Sequence, residues 1–132
     1  MEKVFENNVG RKSVFINLTN HPSSLWGKEQ IQDAEKYGDI TDLAFPGIPV
    51  DISDPELNAL VDEYYKNISE YFEPVVMLQG EFVFVYRLVK RLKEAGIRVF
   101  SACTERIVSQ ETKPDGSVIK TSGFRYGGLR EY

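Results

Sequence analysis

The stretch Val75-Val76-Met77-Leu78-Gln79-Gly80-Glu81-Phe82 decides how this chain folds. Four continuous apolar residues, too few for a helix, are what a strand covered on both faces requires. Pro74 closes off whatever precedes the run, and Gly80 breaks the strand. From Phe82 to Ala95 the period changes: Val85, Leu88, Val89 and Leu92 recur at helical spacing, and Gly96 supplies a left-handed stop. A buried strand that passes through one glycine into an amphipathic helix is the front half of a strand-helix-strand crossover.

Reading outward, Asp54-Pro55-Glu56 opens a second helix whose apolar positions, Leu57, Leu60, Val61, Tyr64, Tyr65, Ile68 and Phe72, share one face. Ser13–Leu18 is a β-rich run ended by Thr19-Asn20-His21-Pro22. Around Ser23 to Tyr37 a further helix is expected, capped by Ser24, turning Leu25, Ile31 and Ala34 inward and ending at Gly38, with its early part, containing Trp26-Gly27, open to reading as loop. Ile40–Phe45 reads as a strand running into the rigid loop Pro46-Gly47-Ile48-Pro49. After Gly96, Ile97–Ala102 is the next strand, Thr104-Glu105-Arg106 its following loop, and Ile107–Glu111 with Val118–Tyr126 a hairpin around Pro114-Asp115-Gly116.

Strands alternating with helices predict an α/β fold: one Rossmann-like domain over residues 1–132, with a mainly parallel central sheet flanked by helices and a C-terminal β-hairpin. In such sheets ligands bind beyond the carboxyl ends of the strands, where neighbouring crossovers leave in opposite directions. That rule selects the loops Thr19–Trp26, Pro46–Pro49 and Gln79–Phe82, with Thr104-Glu105-Arg106 as neighbour.

Composition narrows the functional classes. The chain has 132 residues and a formal net charge of -4, with 6 Lys/Arg against 15 Asp/Glu in residues 1–85 and 10 against 5 thereafter. Such a balance argues against duplex nucleic acid as partner, while a small anionic ligand suits the basic C-terminal part. No apolar run is long enough for a bilayer, and Met1–Glu6 lacks the pattern of an export leader, so a cytoplasmic location and no membrane partner are expected. With one cysteine, Cys103, and one histidine, His21, neither an internal disulfide nor a Cys/His zinc site can be built, and the carboxylates form no recognisable metal cluster. No cofactor is implied.

Each candidate site residue has a plainer alternative. Gln79, Gly80, Glu81 and Phe82 place helix amides where an anionic group could dock, or else form a tight turn with Glu81 favourable in the first helical turn. His21, beside Asn20, Ser23 and Ser24, can move a proton near neutral pH, or else brace the turn before Pro22. Arg106 could clamp a phosphate with its planar fork, or pair with Glu105, Glu81 or Glu111. Trp26 could stack on a base or pack beneath its loop. Cys103 reads as a strand-end thiol without nucleophile context.

The blocks Asn17-Leu18-Thr19-Asn20-His21-Pro22 with Gln30, Ile48-Pro49, Gln79-Gly80-Glu81-Phe82 and Ser101-Ala102-Cys103-Thr104-Glu105-Arg106 resemble the small CRISPR-associated proteins with a CARF-like Rossmann fold. Members associated with type III systems bind or degrade cyclic oligoadenylate second messengers, usually as homodimers. The resemblance spans roughly residues 13–110; the Trp26 loop and the tail from Phe124 to Tyr132 depart from it. It implies a homodimer whose two copies of these loops face one symmetric ring, with adenines near Trp26 and phosphates near Gly80 and the His21 loop. Asn20, Ser23, Gln79, Glu81, Phe82 and Thr104 join these as implied ligand contacts.

Cleavage, if the resemblance extends to activity, is metal-independent transesterification of a ring-nuclease kind, with His21 assisting proton transfer and Arg106 or Ser24 stabilising the oxyanion. Two alternatives stand beside it. One is a non-catalytic module that sequesters the messenger; the other is a small nucleotide- or nucleoside-processing enzyme in which Glu81 is nucleophile or base.

Overall fold

The computed structural model describes residues 12–132; the expectation that Met1–Glu6 carries no leader lies outside them. Five strands form one sheet: β1 (Val14–Leu18), β2 (Asp39–Asp42), β3 (Pro74–Leu78), β4 (Arg98–Thr112) and β5 (Val118–Glu131). Three helices connect them, α1 (Lys28–Glu35), α2 (Asp54–Ser69) and α3 (Phe82–Glu94), and a single 3-10 turn spans Ser23–Leu25. The strand order is β2-β1-β3-β4-β5, parallel throughout except for the antiparallel β4–β5 pair. A mixed α/β architecture with a mainly parallel sheet and a C-terminal antiparallel pair is therefore present.

Alternation along the strands divides the core in two. Ile16 and Leu18 of β1, Val76 and Leu78 of β3 and Val99 of β4 point to the face covered by α2 and α3, where Leu57, Val61, Ile68, Phe84, Leu88 and Leu92 are buried. Phe15 and Met77 point to the opposite face, which α1 closes through Ala34 with help from Trp26 and Tyr37. Burying each of these large side chains contributes about 1.5–3 kcal/mol. The first layer is thus two helices deep along the sheet; the second is one short helix, and its uncovered end is where concavity is left.

Local signals explain the element ends. Ser53 caps α2, its Oγ accepting from the Glu56 amide at 3.2 Å and donating to Glu56 Oε1 at 2.8 Å. Pairs from Arg87 to Asp54 at 3.1 Å and from Arg91 to Asp62 tie α3 to α2. Gly38 is forced by packing: a Cβ there would fall on the Ser13 carbonyl, which accepts from the Asp39 amide at 2.9 Å.

Three expectations need correction. The helix expected from Ser23 to Tyr37 is split into the 3-10 turn and α1, and Ser24 makes no cap; Gly27 opens α1, and Leu25 is 76% exposed instead of inward. The second strand is Asp39–Asp42: the Leu43 amide still donates to the Asn17 carbonyl at 2.9 Å, and beyond it the backbone leaves the β1 ladder. Thr104-Glu105-Arg106 is no loop: β4 continues through it into the hairpin as one 15-residue strand, since β5 pairs with it as far as Thr112↔Val118. No helix among the described residues is long and apolar enough to cross a membrane.

Candidate functional site

The crossover from β1 leads to β2 on one side, while β3 pairs with β1 on the other, so neighbouring connections diverge between β1 and β3. The loop after β1 is set there by a buried polar network. Asn17 is 1% exposed; its Nδ2 donates to the His21 carbonyl at 2.8 Å and to Asp42 Oδ1 at 3.0 Å, and its Oδ1 accepts from Thr19 Oγ1 at 2.8 Å. Thr19 Oγ1 in turn accepts from the His21 amide at 3.1 Å. Asp42 also receives the Ser23 amide, at 3.2 Å to Oδ2. Every polar atom of the Asn17 amide is used, on groups of the loop and on Asp42 at the end of β2, so the His21 backbone is held while its side chain remains at the surface.

Beside it opens a cleft of about 530 Å³, within the range of small-molecule sites. Its wall from the β1 loop and α1 consists of Thr19, His21, Leu25, Trp26, Gly27 and Gln30; the strand ends give Met77, Gln79 and Ala102; the β4–β5 ribbon gives Thr104, Phe124 and Tyr126. Trp26 is held edge-on against Phe15, with ring centroids 6.4 Å apart. Gln79 Oε1 accepts from the Ala102 amide at 2.9 Å, which fixes the plane of its amide. A second, shallower concavity of about 380 Å³ lies on the other side of the loop, between Asn20, Pro22 and Asp42–Phe45.

The hairpin both joins the sheet and walls the cleft, through a bulge. Cys103 pairs with Gly128 but Thr104 pairs with Tyr126, leaving Gly127 as the extra residue. Gly128 takes φ 112°, a value side-chain-bearing residues rarely adopt. The inserted residue turns Tyr126 onto the face that carries Ala102 and Thr104, where its hydroxyl donates to Asp33 Oδ2 at 2.7 Å. That bond, and a second from Lys36, hold the Asp33 carboxyl below its ordinary range; desolvation and the same bond push the Tyr126 phenol up. Tyr126 is consequently a neutral donor at any physiological pH.

The sequence profile of the uncharacterized protein MJ1673 family matches residues 13–130. The chain belongs to that family. No curated protein matches it in sequence. The matched span runs from the residue before β1 to nearly the end of β5, so every residue of the cleft lies within it.

In this MJ1673-family chain the predicted residues separate into four groups. His21, Trp26, Gln79 and Thr104 meet in the cleft. Asn20 lines the second concavity, and Ser23 and Ser24 lie on the 3-10 turn, where Ser23 contributes its amide to Asp42. Arg106, paired with Phe124, shares the ribbon face with Thr104 but lies beyond the cleft wall.

Around Gly80 the chain's own groups fill the positions in question. Glu81 caps α3 with both oxygens, Oε1 accepting from the Val83 amide at 2.8 Å and Oε2 from the Phe84 amide at 2.9 Å, so the amides expected to receive a ligand anion are already met. A Cβ on Gly80 would fall inside the Phe45 ring, which packs edge-on against Phe84, so this glycine makes room for an aromatic ring of the chain itself. Phe82 is 89% exposed and outside the cleft.

Sequence reasoning missed Met77, Ala102, Phe124 and Tyr126 in the cleft wall and Asn17 beneath the loop. Alternation in β3 was available to place Met77 with Gln79; the bulge that brings Tyr126 round has only the Gly127-Gly128 pair as its sign. Among the described residues no group of three or more His, Cys, Asp or Glu side chains is gathered where it could hold a metal ion.

Proposed function

We propose that this chain is a Rossmann-like, CARF-like protein that binds a cyclic oligoadenylate in the cleft at the β1–β3 switch. The strand order β2-β1-β3-β4-β5, shared with doubly wound nucleotide-binding sheets apart from its antiparallel last strand, supports the fold reading. The observation that carries the ligand reading is the cleft wall: His21, Trp26, Gln79 and Thr104, drawn from three separate segments, converge at the position where such sheets take ligands. An indole and an accessible phenyl ring suit bases, and two copies about a twofold axis suit a symmetric ring of a CRISPR-type messenger.

In the catalytic form of this reading, a ribose 2′-hydroxyl attacks the adjacent phosphorus. Its proton passes to the His21 imidazole, the bond to the 5′-oxygen breaks, and the leaving oxygen takes up a proton, giving a 2′,3′-cyclic phosphate and a 5′-hydroxyl. The positions of Arg106 and Ser24 outside the cleft wall favour a second reading, sequestration without cleavage. Incubation with cyclic tetra- and hexa-adenylate, followed by mass-resolved chromatography, separates the two. Linear products that His21→Ala slows at least tenfold, with binding retained, mark the ring nuclease; an intact bound ring marks the sequestering module. Absence of any complex rejects the proposal.

A further inference from the structure

Two carboxamides face the cleft with opposite ends free. Gln79 lies at the end of β3, and because the Ala102 amide can only donate, the oxygen of Gln79 must be the atom 2.9 Å from it. What Gln79 retains for a ligand is its NH2 group. Gln30, on α1, has the reverse arrangement: its Nε2 sits 3.7 Å from the Met77 sulfur, which leaves its oxygen. Gln79 directly follows β3, its amide still donating to the Leu18 carbonyl at 3.3 Å, so its side chain projects on the same face as that of Met77, and both carboxamides line the one cleft. Trp26 and Phe124 supply aromatic surface to the same cleft, the first from the β1 loop and the second, 77% exposed, from the ribbon.

We propose that Gln30 and Gln79 are a specificity-determining pair that reads a 6-aminopurine, an assignment that rests on the cleft being a nucleotide site. Adenine presents a ring-nitrogen acceptor beside an exocyclic N–H donor. On the Watson–Crick edge the NH2 of Gln79 donates to N1 and the oxygen of Gln30 accepts from the 6-amino group, the donor–acceptor complementarity that a single carboxamide offers to N7 and the 6-amino group in the DNA major groove. Guanine inverts both positions: its N1–H meets the Gln79 NH2, donor against donor, and its O6 meets the Gln30 oxygen, acceptor against acceptor. Cytosine, whose N3 acceptor and 4-amino donor repeat the adenine pattern, is discriminated by reach, whereas uracil, with N3–H and O4, is rejected by pattern as guanine is. The backbone bond to Ala102 is what gives the pair its direction, since without it the Gln79 amide could rotate and accept either base.

Gln79→Glu tests this directly. A glutamate can keep accepting from the Ala102 amide while presenting a second oxygen where the NH2 stood, which converts a donor into an acceptor in place. Titration of AMP and GMP against the intact protein is expected to show AMP preferred by about tenfold or more, and Gln79→Glu is expected to lower that ratio at least tenfold. Gln30→Met, on a helix surface, removes only the acceptor and is expected to weaken AMP without weakening GMP, which keeps the test open should Gln79→Glu fail to fold. An AMP-to-GMP ratio unchanged in both variants overturns the pair, even if cyclic tetra-adenylate binds tightly. Failure of cyclic tetra-adenylate to bind while the AMP preference and its loss in Gln79→Glu persist overturns the ring reading and leaves the pair standing; no binding of any of the three probes overturns both.

Discussion

The Tyr126 hydroxyl donates to Asp33 Oδ2 over 2.7 Å, joining residues 93 apart in sequence and fastening the β4–β5 ribbon to α1 at the side of the cleft. The outer ribbon, exposed on both faces, is otherwise joined to the body through β4, which pairs with β3, and through the inner end of β5, where Arg98 and Glu131 pair at 2.9 Å and the Tyr132 hydroxyl donates to the Leu78 carbonyl at 2.7 Å. A two-stranded ribbon has little stability of its own. This bond therefore helps hold the wall carrying Thr104, Phe124 and Tyr126 in place relative to His21 and Trp26.

Tyr126→Phe is expected to cost about 1 kcal/mol at neutral pH. The sign of its pH dependence follows from Asp33, whose carboxyl is held below its ordinary value of 3.8 first by Tyr126 and then by Lys36. A depressed acid stabilises the fold above its unfolded pKa, and that contribution disappears as pH falls through the lower folded value. The difference between wild type and Tyr126→Phe, read from urea unfolding, should hold steady from about pH 7 to about pH 5 and shrink in more acid solution. A difference that grows on acidification would contradict the assignment.

Glu81→Ala is expected to destabilise the chain by about 1 kcal/mol, the usual worth of a side-chain cap, because both carboxylate oxygens serve the Val83 and Phe84 amides. Binding in the cleft should be unaffected, since Glu81 does not line it. Chemical denaturation and titration with cyclic tetra-adenylate on the same preparation measure the two effects; a large loss of binding at unchanged stability would return Glu81 to the site.

How far the sequence could reveal this arrangement depended on which residues carried a local signal. β3 and α3 were legible because the apolar run Val75–Leu78 and the stripe Val85, Leu88, Leu92 are each complete within their own segment. Thr104-Glu105-Arg106 was misread because a ribbon exposed on both faces needs no apolar alternation, and a polar strand then looks like a loop. Gly80 was linked to a ligand because its partner, the Phe45 ring, comes from a segment that only tertiary packing brings near. The cleft's outer wall was hidden for the same reason: the facing of Phe124 and Tyr126 follows from the register across Gly127, which one residue more or less would reverse.

The two crowded glycines offer a comparison. At Gly38 an added methyl meets the backbone of Ser13, which is fixed in the sheet; at Gly80 it meets the ring of Phe45, a side chain that can turn away. Gly38→Ala should therefore cost more, above about 3 kcal/mol, than Gly80→Ala, at about 1–2 kcal/mol. In the background Phe45→Leu the penalty of Gly80→Ala should shrink, a coupling that a double-mutant cycle in denaturant resolves. Equal penalties at both glycines would mean that the Phe45 ring is as immobile as the sheet backbone.

Asn17 offers the sharpest test of what holds the His21 loop. Its Nδ2 faces Asp42 Oδ1 at 3.0 Å and the His21 carbonyl at 2.8 Å, so Asn17→Asp keeps the shape but places an acceptor against two acceptors, one of them charged. Burying a second carboxylate there, beside Asp42, should cost about 3 kcal/mol or more near neutral pH. The new carboxyl has its pKa raised by the like charge and by burial, so it is penalised most when the unfolded chain would ionise it. Stability lost at neutral pH should consequently recover as pH falls through that raised value, opposite in sign to the acid weakening expected at Asp33. Binding in the cleft should weaken together with stability at neutral pH and recover with it on acidification, because the His21 carbonyl, Thr19 and Asp42 are positioned by one amide. If stability recovers in acid but binding does not, Asn17 supports the fold without setting the loop.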